Sequence, residues 1–344
     1  CISRGGDVGG GGTPSCVIQG NGRAVCWGIN PEGQLGNGTN NDYFSPFPVT
    51  GLVGAVRIVA GSAHTCVLVV DGTVRCWGRN DSGQLGDGTQ ADKLVPTAVV
   101  GLSDAIELSA AGDVSCALKR NGLAVCWGEN ALAQIGDGST QDRSLPAQVA
   151  LAGVAAIATG GRHSCALMSD TSMKCWGASA YGRLGDGATT EKFSPTPVIN
   201  VTNVSKVSGG IEHGCALTTG GAVKCWGMNS QGQLGDGTET DRPTAVEVLG
   251  LTGATDLVSG DYFNCALLGT GRVRCWGAND SGQLGDGTQT NRLASVEVLS
   301  ITSATSIAAG ARHACAALGD GTARCWGSNG YGQLGDGSQT MRLS

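Results

Sequence analysis

The chain is poor in the residues that mark a helical enzyme, a membrane protein or a nucleic-acid binder. Aromatic residues make up 4% of it and charged residues 15%, and His occurs four times. No apolar run approaches the roughly 20 residues of a membrane-spanning helix, and the first residues show no charged leader followed by an apolar core. A transmembrane segment is therefore not expected. Acidic residues outnumber basic ones, 28 to 22, for a formal charge of −6. That balance lacks the electrostatic footprint of a phosphate-backbone binder, so nucleic acid is excluded as a partner.

What is abundant is glycine, 59 of 344 residues, and cysteine, 15. So much glycine suits many short strands joined by tight turns that need positive φ. Fourteen cysteines form seven pairs, Cys16/Cys26, Cys66/Cys76, Cys116/Cys126, Cys165/Cys175, Cys215/Cys225, Cys265/Cys275 and Cys315/Cys325, each ten positions apart. Successive first cysteines lie 50, 50, 49, 50, 50 and 50 residues apart, and every second cysteine opens Cys-Trp-Gly, which accounts for all seven tryptophans. A near-constant segment follows, such as Ser281-Gly282-Gln283-Leu284-Gly285-Asp286-Gly287-Thr288. A period near 50 with several short β-type runs per unit predicts an all-β, seven-bladed β-propeller that uses residues 1–344 as one domain.

Cys265-Ala266-Leu267-Leu268 and Arg272-Val273-Arg274-Cys275 flank a Gly-Thr-Gly turn and alternate with period two. Centring the hairpin on Thr270 sets Cys265 opposite Cys275, Ala266 opposite Arg274 and Leu267 opposite Val273. The same centre falls on Asn21, Asp71, Asn121 and Asp320, each followed by Gly, as a three-residue loop with a left-handed last residue requires. Opposed cysteines at a non-hydrogen-bonded pair are within bridging reach. One intrablade disulfide per blade is expected, the alternative being buried free thiols. Each short loop closed in this way contributes on the order of 2–3 kcal/mol at most, and the seven do not simply add, because strain and denatured-state structure intervene. Disulfides place the chain in an extracellular, cell-surface or periplasmic setting. Zinc is excluded by spacing, because its tetrahedral sites use clustered ligands rather than isolated hairpin pairs.

Gly-x-x-His-x-Cys-Ala-Leu, Cys-Trp-Gly-x-Asn and Gly-Gln-Leu-Gly-Asp-Gly-Thr, recurring seven times over nearly the whole chain, resemble repeats of the regulator of chromosome condensation family. That resemblance implies a seven-bladed propeller, and the paired cysteines look like a secreted bacterial branch. The family includes a nuclear exchange factor for a small GTPase, a plant ultraviolet-B photoreceptor and a secreted inhibitor of β-lactamases. Fold likeness does not choose among them. Acidity and cysteine usage disfavour the nuclear role.

The tryptophans recur in every blade, so packing between blades is expected rather than light sensing or sugar stacking. One carboxylate between two glycines offers too few oxygens for calcium, so the Gly-Asp-Gly runs, and Asn37 in the first of them, read as turns. His64, His163, His213 and His313 sit two residues before a first cysteine, where other repeats carry Pro14, Val114 and Phe263. Spread around a ring, they are expected to be hydrogen-bonded loop histidines and not a metal site. Neither metal nor cofactor is expected. A basic ring, Lys93, Arg143, Lys192, Arg242, Arg292 and Arg342, often follows an acid (Asp92, Asp142, Glu191, Asp241) and reads as local ion pairing.

The residue before the histidine position changes from unit to unit: Thr13, Ala63, Asp113, Arg162, Glu212, Tyr262, Arg312. Variation inside a strict repeat suggests release from packing. Gly161-Arg162-His163-Ser164 and Ala311-Arg312-His313-Ala314 resemble the Gly-Trp-Arg-His-Thr motif of the plant photoreceptor's interaction face, without its Trp, which argues against photoreception. The candidate partner-binding residues are therefore Asp113, Arg162, His163, Glu212, His213, Tyr262, Phe263, Arg312 and His313, with Tyr262-Phe263 as aromatic anchor and the arginines as hot spots.

Six units carry an extended run such as Ser194-Pro195-Thr196-Pro197-Val198 that the seventh lacks, so the closing blade is expected to be one strand short, its edge available for strand addition. Cys1 stands outside the pairs and reads as a lipidated residue, an intermolecular disulfide partner or the cut end of a longer chain. No catalytic set stands apart from the repeat. The expected function is a non-enzymatic protein-binding scaffold, with a self-assembling surface component and a secreted enzyme inhibitor as alternatives; an undetected hydrolase is the enzymatic reading.

Overall fold

A computed structural model describes residues 14–344 and the backbone of 8–10; Cys1 and Thr13 lie outside the described residues. Seven antiparallel sheets follow one another along the chain, six of four strands and one of three. Blade 1 holds Val8–Gly10, Pro14–Ile18, Ala24–Gly28 and Tyr43–Pro48; blade 2 holds Ala55–Ala60, His64–Val69, Val74–Gly78 and Lys93–Ala98. Blades 3 to 6 repeat this order over residues 105–148, 154–197, 204–247 and 254–297. Blade 7 holds Ala304–Ala309, His313–Leu318 and Ala323–Gly327, with a single bridge from Gly327 to Arg342 on its outer side. The one helical turn among the described residues is Ala180–Gly182.

The hairpin register matches the sequence expectation residue for residue: Cys265 opposes Cys275, Ala266 opposes Arg274 and Leu267 opposes Val273. All seven opposed pairs are disulfide-bonded, with Cα atoms 4.0–4.1 Å apart: Cys16–Cys26, Cys66–Cys76, Cys116–Cys126, Cys165–Cys175, Cys215–Cys225, Cys265–Cys275 and Cys315–Cys325. The alternative of buried free thiols is thereby set aside for these fourteen residues. The bridges are structural and form no part of a binding surface, since Cys26, Cys126, Cys175 and Cys225 are fully buried together with their partners. Cys325 alone is only half-buried. Its counterpart Cys275 is covered by Val296 of the fourth strand, and among the described residues blade 7 has no such strand. These bridges suit an oxidising, non-cytosolic environment. No helix among the described residues is long and apolar enough to cross a membrane.

A single blade has no core of its own. Each hydrophobic cluster joins one blade's cysteines, Leu and Val to the next blade's tryptophan, as with Cys66, Leu85, Val99 and Trp127. Every indole donates across the boundary: Trp77 to the carbonyl of Gln34 (2.9 Å), Trp127 to Gln84, Trp176 to Gln134, Trp226 to Arg183, Trp276 to Gln233, Trp326 to Gln283 and, closing the ring, Trp27 to Gln333 (2.8 Å). Packing between blades, rather than ligand stacking, is what the tryptophans do. They also explain the first glycine of Gly-Asp-Gly. At Gly36, Gly86, Gly136 and Gly335, all with positive φ, a Cβ would come within 2.4–2.8 Å of the neighbouring indole.

The inner strands of blades 2 to 7 line a central channel of about 1040 Å³. Backbone bonds between adjacent blades tighten one mouth: Ser62 N to Gly112 O (2.8 Å), Gly161 N to Gly210 O (3.2 Å), Ile211 N to Asp261 O (3.3 Å) and Asp261 N to Ala311 O (3.1 Å).

Candidate functional site

Each inner strand turns into the second strand through the variable position, and each third strand leaves through Trp-Gly. Backbone bonds hold these two loops together: Arg79 N to Ala63 O, Glu129 N to Asp113 O, Ala178 N to Arg162 O, Met228 N to Glu212 O, Ala278 N to Tyr262 O and Ser328 N to Arg312 O. The variable positions and the segments after Trp-Gly therefore share the face that carries the tightened channel mouth.

The structure divides the nine candidate residues. Arg162 and Arg312 are exposed, at 58% and 52% of their side chains, and Asp113 and Tyr262 are half-buried. His163, His213, Phe263 and His313 are not surface residues, with exposures of 0–2%. Their side chains point back between blades because they begin the second strand, so they are withdrawn from the partner-binding set. Glu212 is also buried, at 6%.

The histidines follow a rule that spans repeats. His64 Nε2 pairs with Ser115 Oγ (2.8 Å), His213 Nε2 with Asn264 Oδ1 (3.0 Å) and His313 Nε2 with Ser15 Oγ (2.9 Å). Where the histidine is replaced by Phe263, the facing residue is Ala314. His163 is the exception, because Gly214 stands in the partner's place and neither ring nitrogen has a hydrogen bond. Burial pushes His64, His213 and His313 down to about 4, and burial with the Arg183 and His213 charges pushes His163 down to about 3. His163→Phe should therefore raise stability by about 1 kcal/mol, whereas His213→Phe strands Asn264 and should lower it by about 1–3 kcal/mol. Denaturant midpoints of the two variants check the opposite signs.

The boundary between blades 4 and 5 departs from the repeat in a second way. Arg183 occupies the place of Gln34, Gln84, Gln134, Gln233, Gln283 and Gln333, is 2% exposed, and contacts Glu212 of blade 5 through Nη2. Arg162 approaches the same carboxylate at 3.6 Å. Five other boundaries use a side-chain hydrogen bond here, such as Thr65 Oγ1 to Gln34 O or Ser115 Oγ to Gln84 O, which neither Gly214 nor Ala314 can make. Burial outweighs the pairing for both partners, raising Glu212 and lowering Arg183 from their ordinary values. Tyr181, with φ +60°, places its ring 5.8 Å from the Arg183 guanidinium. Sequence reasoning missed Arg183 and Gly214, although Arg183 was visible as the single break in a run of six glutamines. It also missed Asp261 at the channel mouth, whose carboxyl burial pushes up to about 6.

The basic ring is locally ion-paired, but with a different partner from the adjacent acid. Lys93, Arg143, Lys192, Arg242, Arg292 and Arg342 reach the aspartate of their own Gly-Asp-Gly turn at 2.6–3.5 Å. Asp92, Asp142 and Asp241 instead accept the backbone N–H of Asn80, Asn130 and Asn229 at 2.8 Å. In blade 1 both members change together, to Asn37 and Tyr43, so neither charge is left alone. The turn aspartates also accept the following Thr or Ser, as Asp87 does from Thr89 N (2.9 Å), and serve as turn anchors.

A search of curated proteins returns no significant match. Solved structures similar to the chain include Prp20p from Saccharomyces cerevisiae, whose binding properties to Gsp1p and histones are described, with TM-score 0.81, 21% identity, and coverage of 93% of this chain and 84% of that one. Human WBSCR16 aligns with TM-score 0.81 at 22% identity over 90% and 86%. The ectodomain of the receptor kinase CR4 from Physcomitrella patens gives 0.58 at 20% identity over 94% and 73%. At these identities the likeness concerns the fold. The family profile of the regulator of chromosome condensation (RCC1) repeat matches residues 21–68, 71–118, 121–167, 175–217, 221–267 and 270–317, and a second profile of the same repeat matches five segments between 55 and 333. The chain belongs to the RCC1 repeat family.

Proposed function

We propose that this propeller is a non-enzymatic, protein-binding scaffold of an oxidising compartment, resembling a secreted bacterial branch of the family, and that residues 1–344 act as one domain. The observation that carries this reading is the variable position: in a ring whose packing residues barely change, it runs Ala63, Asp113, Arg162, Glu212, Tyr262, Arg312, with the two arginines solvent-exposed. Arg and Tyr are the residue types that dominate interface energetics. Support of a coarser kind comes from solved relatives with protein partners, Gsp1p and histones for Prp20p and Kap60 for yeast RCC1. The partner-contacting set is Asp113, Arg162, Tyr262 and Arg312.

The test is an Arg162→Glu/Arg312→Glu double variant beside a control in the hairpin turn at the other end of blade 6, Arg272→Glu. Light scattering first decides whether the purified chain is a monomer. Partner recovered from the native extracellular fraction should fall at least tenfold for the double variant and stay unchanged for the control. Assembly of the pure chain with itself, unaffected by the double variant, would instead support the self-assembling surface component.

A further inference from the structure

Where blades 5, 6 and 7 meet on the loop face, a cleft of about 440 Å³ opens between Met228 and Gln231 of blade 5, Tyr262, Asp280 and Asn291 of blade 6, and Arg312 of blade 7. Its size lies at the lower end of small-ligand sites. Asn291 takes a place held by Asp42, Asp92, Asp142 and Asp241 elsewhere. It keeps their structural duty, since Oδ1 accepts Asn279 N–H at 2.9 Å. Its Nδ2, which an aspartate does not have, donates to Gln231 Oε1 at 2.7 Å across the blade boundary. The cap alone does not call for this substitution. Its effect is to fix the Gln231 amide with Nε2 left as a donor.

The opposite wall is a neutral pair. Arg312 Nη1 donates to Asp280 Oδ2 at 2.7 Å, and Gln283 Nε2 holds Asp280 Oδ1 at 3.1 Å. A cationic ligand would compete with Arg312 for the carboxylate, and an anionic one would meet Asp280 in a chain of net charge −6. A neutral ligand that both donates and accepts meets neither penalty. Gln231 and the remaining guanidinium N–H groups donate, Asp280 accepts, and the Tyr262 hydroxyl does either. The Tyr262 ring and Met228 supply an apolar wall. Planar amide, carboxylate and guanidinium groups beside an aromatic ring match neighbouring hydroxyls on a ring that also has a C–H face. We infer that this cleft binds a neutral pyranose sugar, with Tyr262 against its C–H face and Gln231, Asp280 and Arg312 on its hydroxyls.

The inference shares Tyr262 and Arg312 with the protein-binding reading but has its own test, which needs no protein partner. The full chain is titrated with methyl glycosides of glucose, galactose, mannose and N-acetylglucosamine, observed by saturation-transfer NMR. At least one should bind with a dissociation constant on the order of a millimolar. Tyr262→Ala removes the stacking wall and Asn291→Asp restores the acid found in other blades while keeping the cap. Each should weaken binding about tenfold or more with little change in the unfolding midpoint. Absence of transfer from all four glycosides at tens of millimolar overturns the inference, as does binding that both variants leave intact. Stronger saturation of a charged probe, acetate or methylammonium, in the same cleft also overturns it.

Discussion

Lowering the pH from 7 to about 5 should cost this propeller on the order of 5 kcal/mol of unfolding free energy, carried by its histidines and only partly offset by its buried carboxyls. Four histidines are buried between blades and held down to about 4 or 3, whereas in the unfolded chain they protonate near 6.5. Between those values the unfolded state binds more protons, so stability is complete above about 6.5 and is lost as pH falls toward 4, by up to about 1.4 kcal/mol per pH unit per histidine. Asp261, raised to about 6, and Asp113 and Glu212, also raised by burial, act in the opposite direction and reduce the total without reversing it. Denaturant midpoints at pH 8, 7, 6, 5 and 4.5 should be flat at first and then fall steeply. Replacing His163 with Phe should flatten the slope by about one histidine's share. A midpoint unchanged down to pH 5 would show that these side chains are not held neutral.

Glu212→Ala should destabilise the chain by about 3–5 kcal/mol, because it leaves the Arg183 guanidinium 2% exposed and without a counter-charge. The nearest other cation, Arg162, makes matters worse rather than better. Arg183→Gln, which restores the residue of the other six blades, should recover most of that loss in the double variant. The pair is desolvated on both sides, so the double variant should lie within about 1 kcal/mol of the parent and far from the sum of the singles. Additive losses would mean that Glu212 is held by something other than Arg183. Amide exchange should report where the loss falls, with protection lost first along His213–Thr218.

Most of the fold was legible because the repeat gives seven independent readings of each position. The Cys-to-Cys register, the turn residues and the role of the tryptophans follow from period two and from spacing, and the structure agrees at Cys265/Cys275 and Trp276. The lower burial of Cys325 cannot be read from its hairpin, which resembles the other six, but it goes with the extended run that the seventh unit lacks, and among the described residues blade 7 has three strands. The site was less legible for a physical reason. Two residues adjacent in a strand point to opposite sides, so Arg162 faces solvent while His163 faces the next blade, and a motif that names both cannot tell them apart. Pairing across blades was also hidden, since a histidine and its Ser or Asn partner lie 51 residues apart within the sequence, one residue out of phase with the repeat. Asp280 and Asn291 could not be read as two walls of one cleft from positions eleven apart without the loop that folds them together.

The inter-blade indole and hydroxyl bonds also bear on how such a chain can lengthen. The segment 71–118 holds Gln84 together with the Ser115 that donates to it, so the contact between two blades lies inside one repeat of the sequence. The disulfides run the other way, with Cys66 in one repeat and Cys76 in the next. Gene duplication of a single repeat thus copies the hydroxyl part of a joint, while the indole that completes it, Trp127 on Gln84, and the cystine both tie the copy to its neighbour.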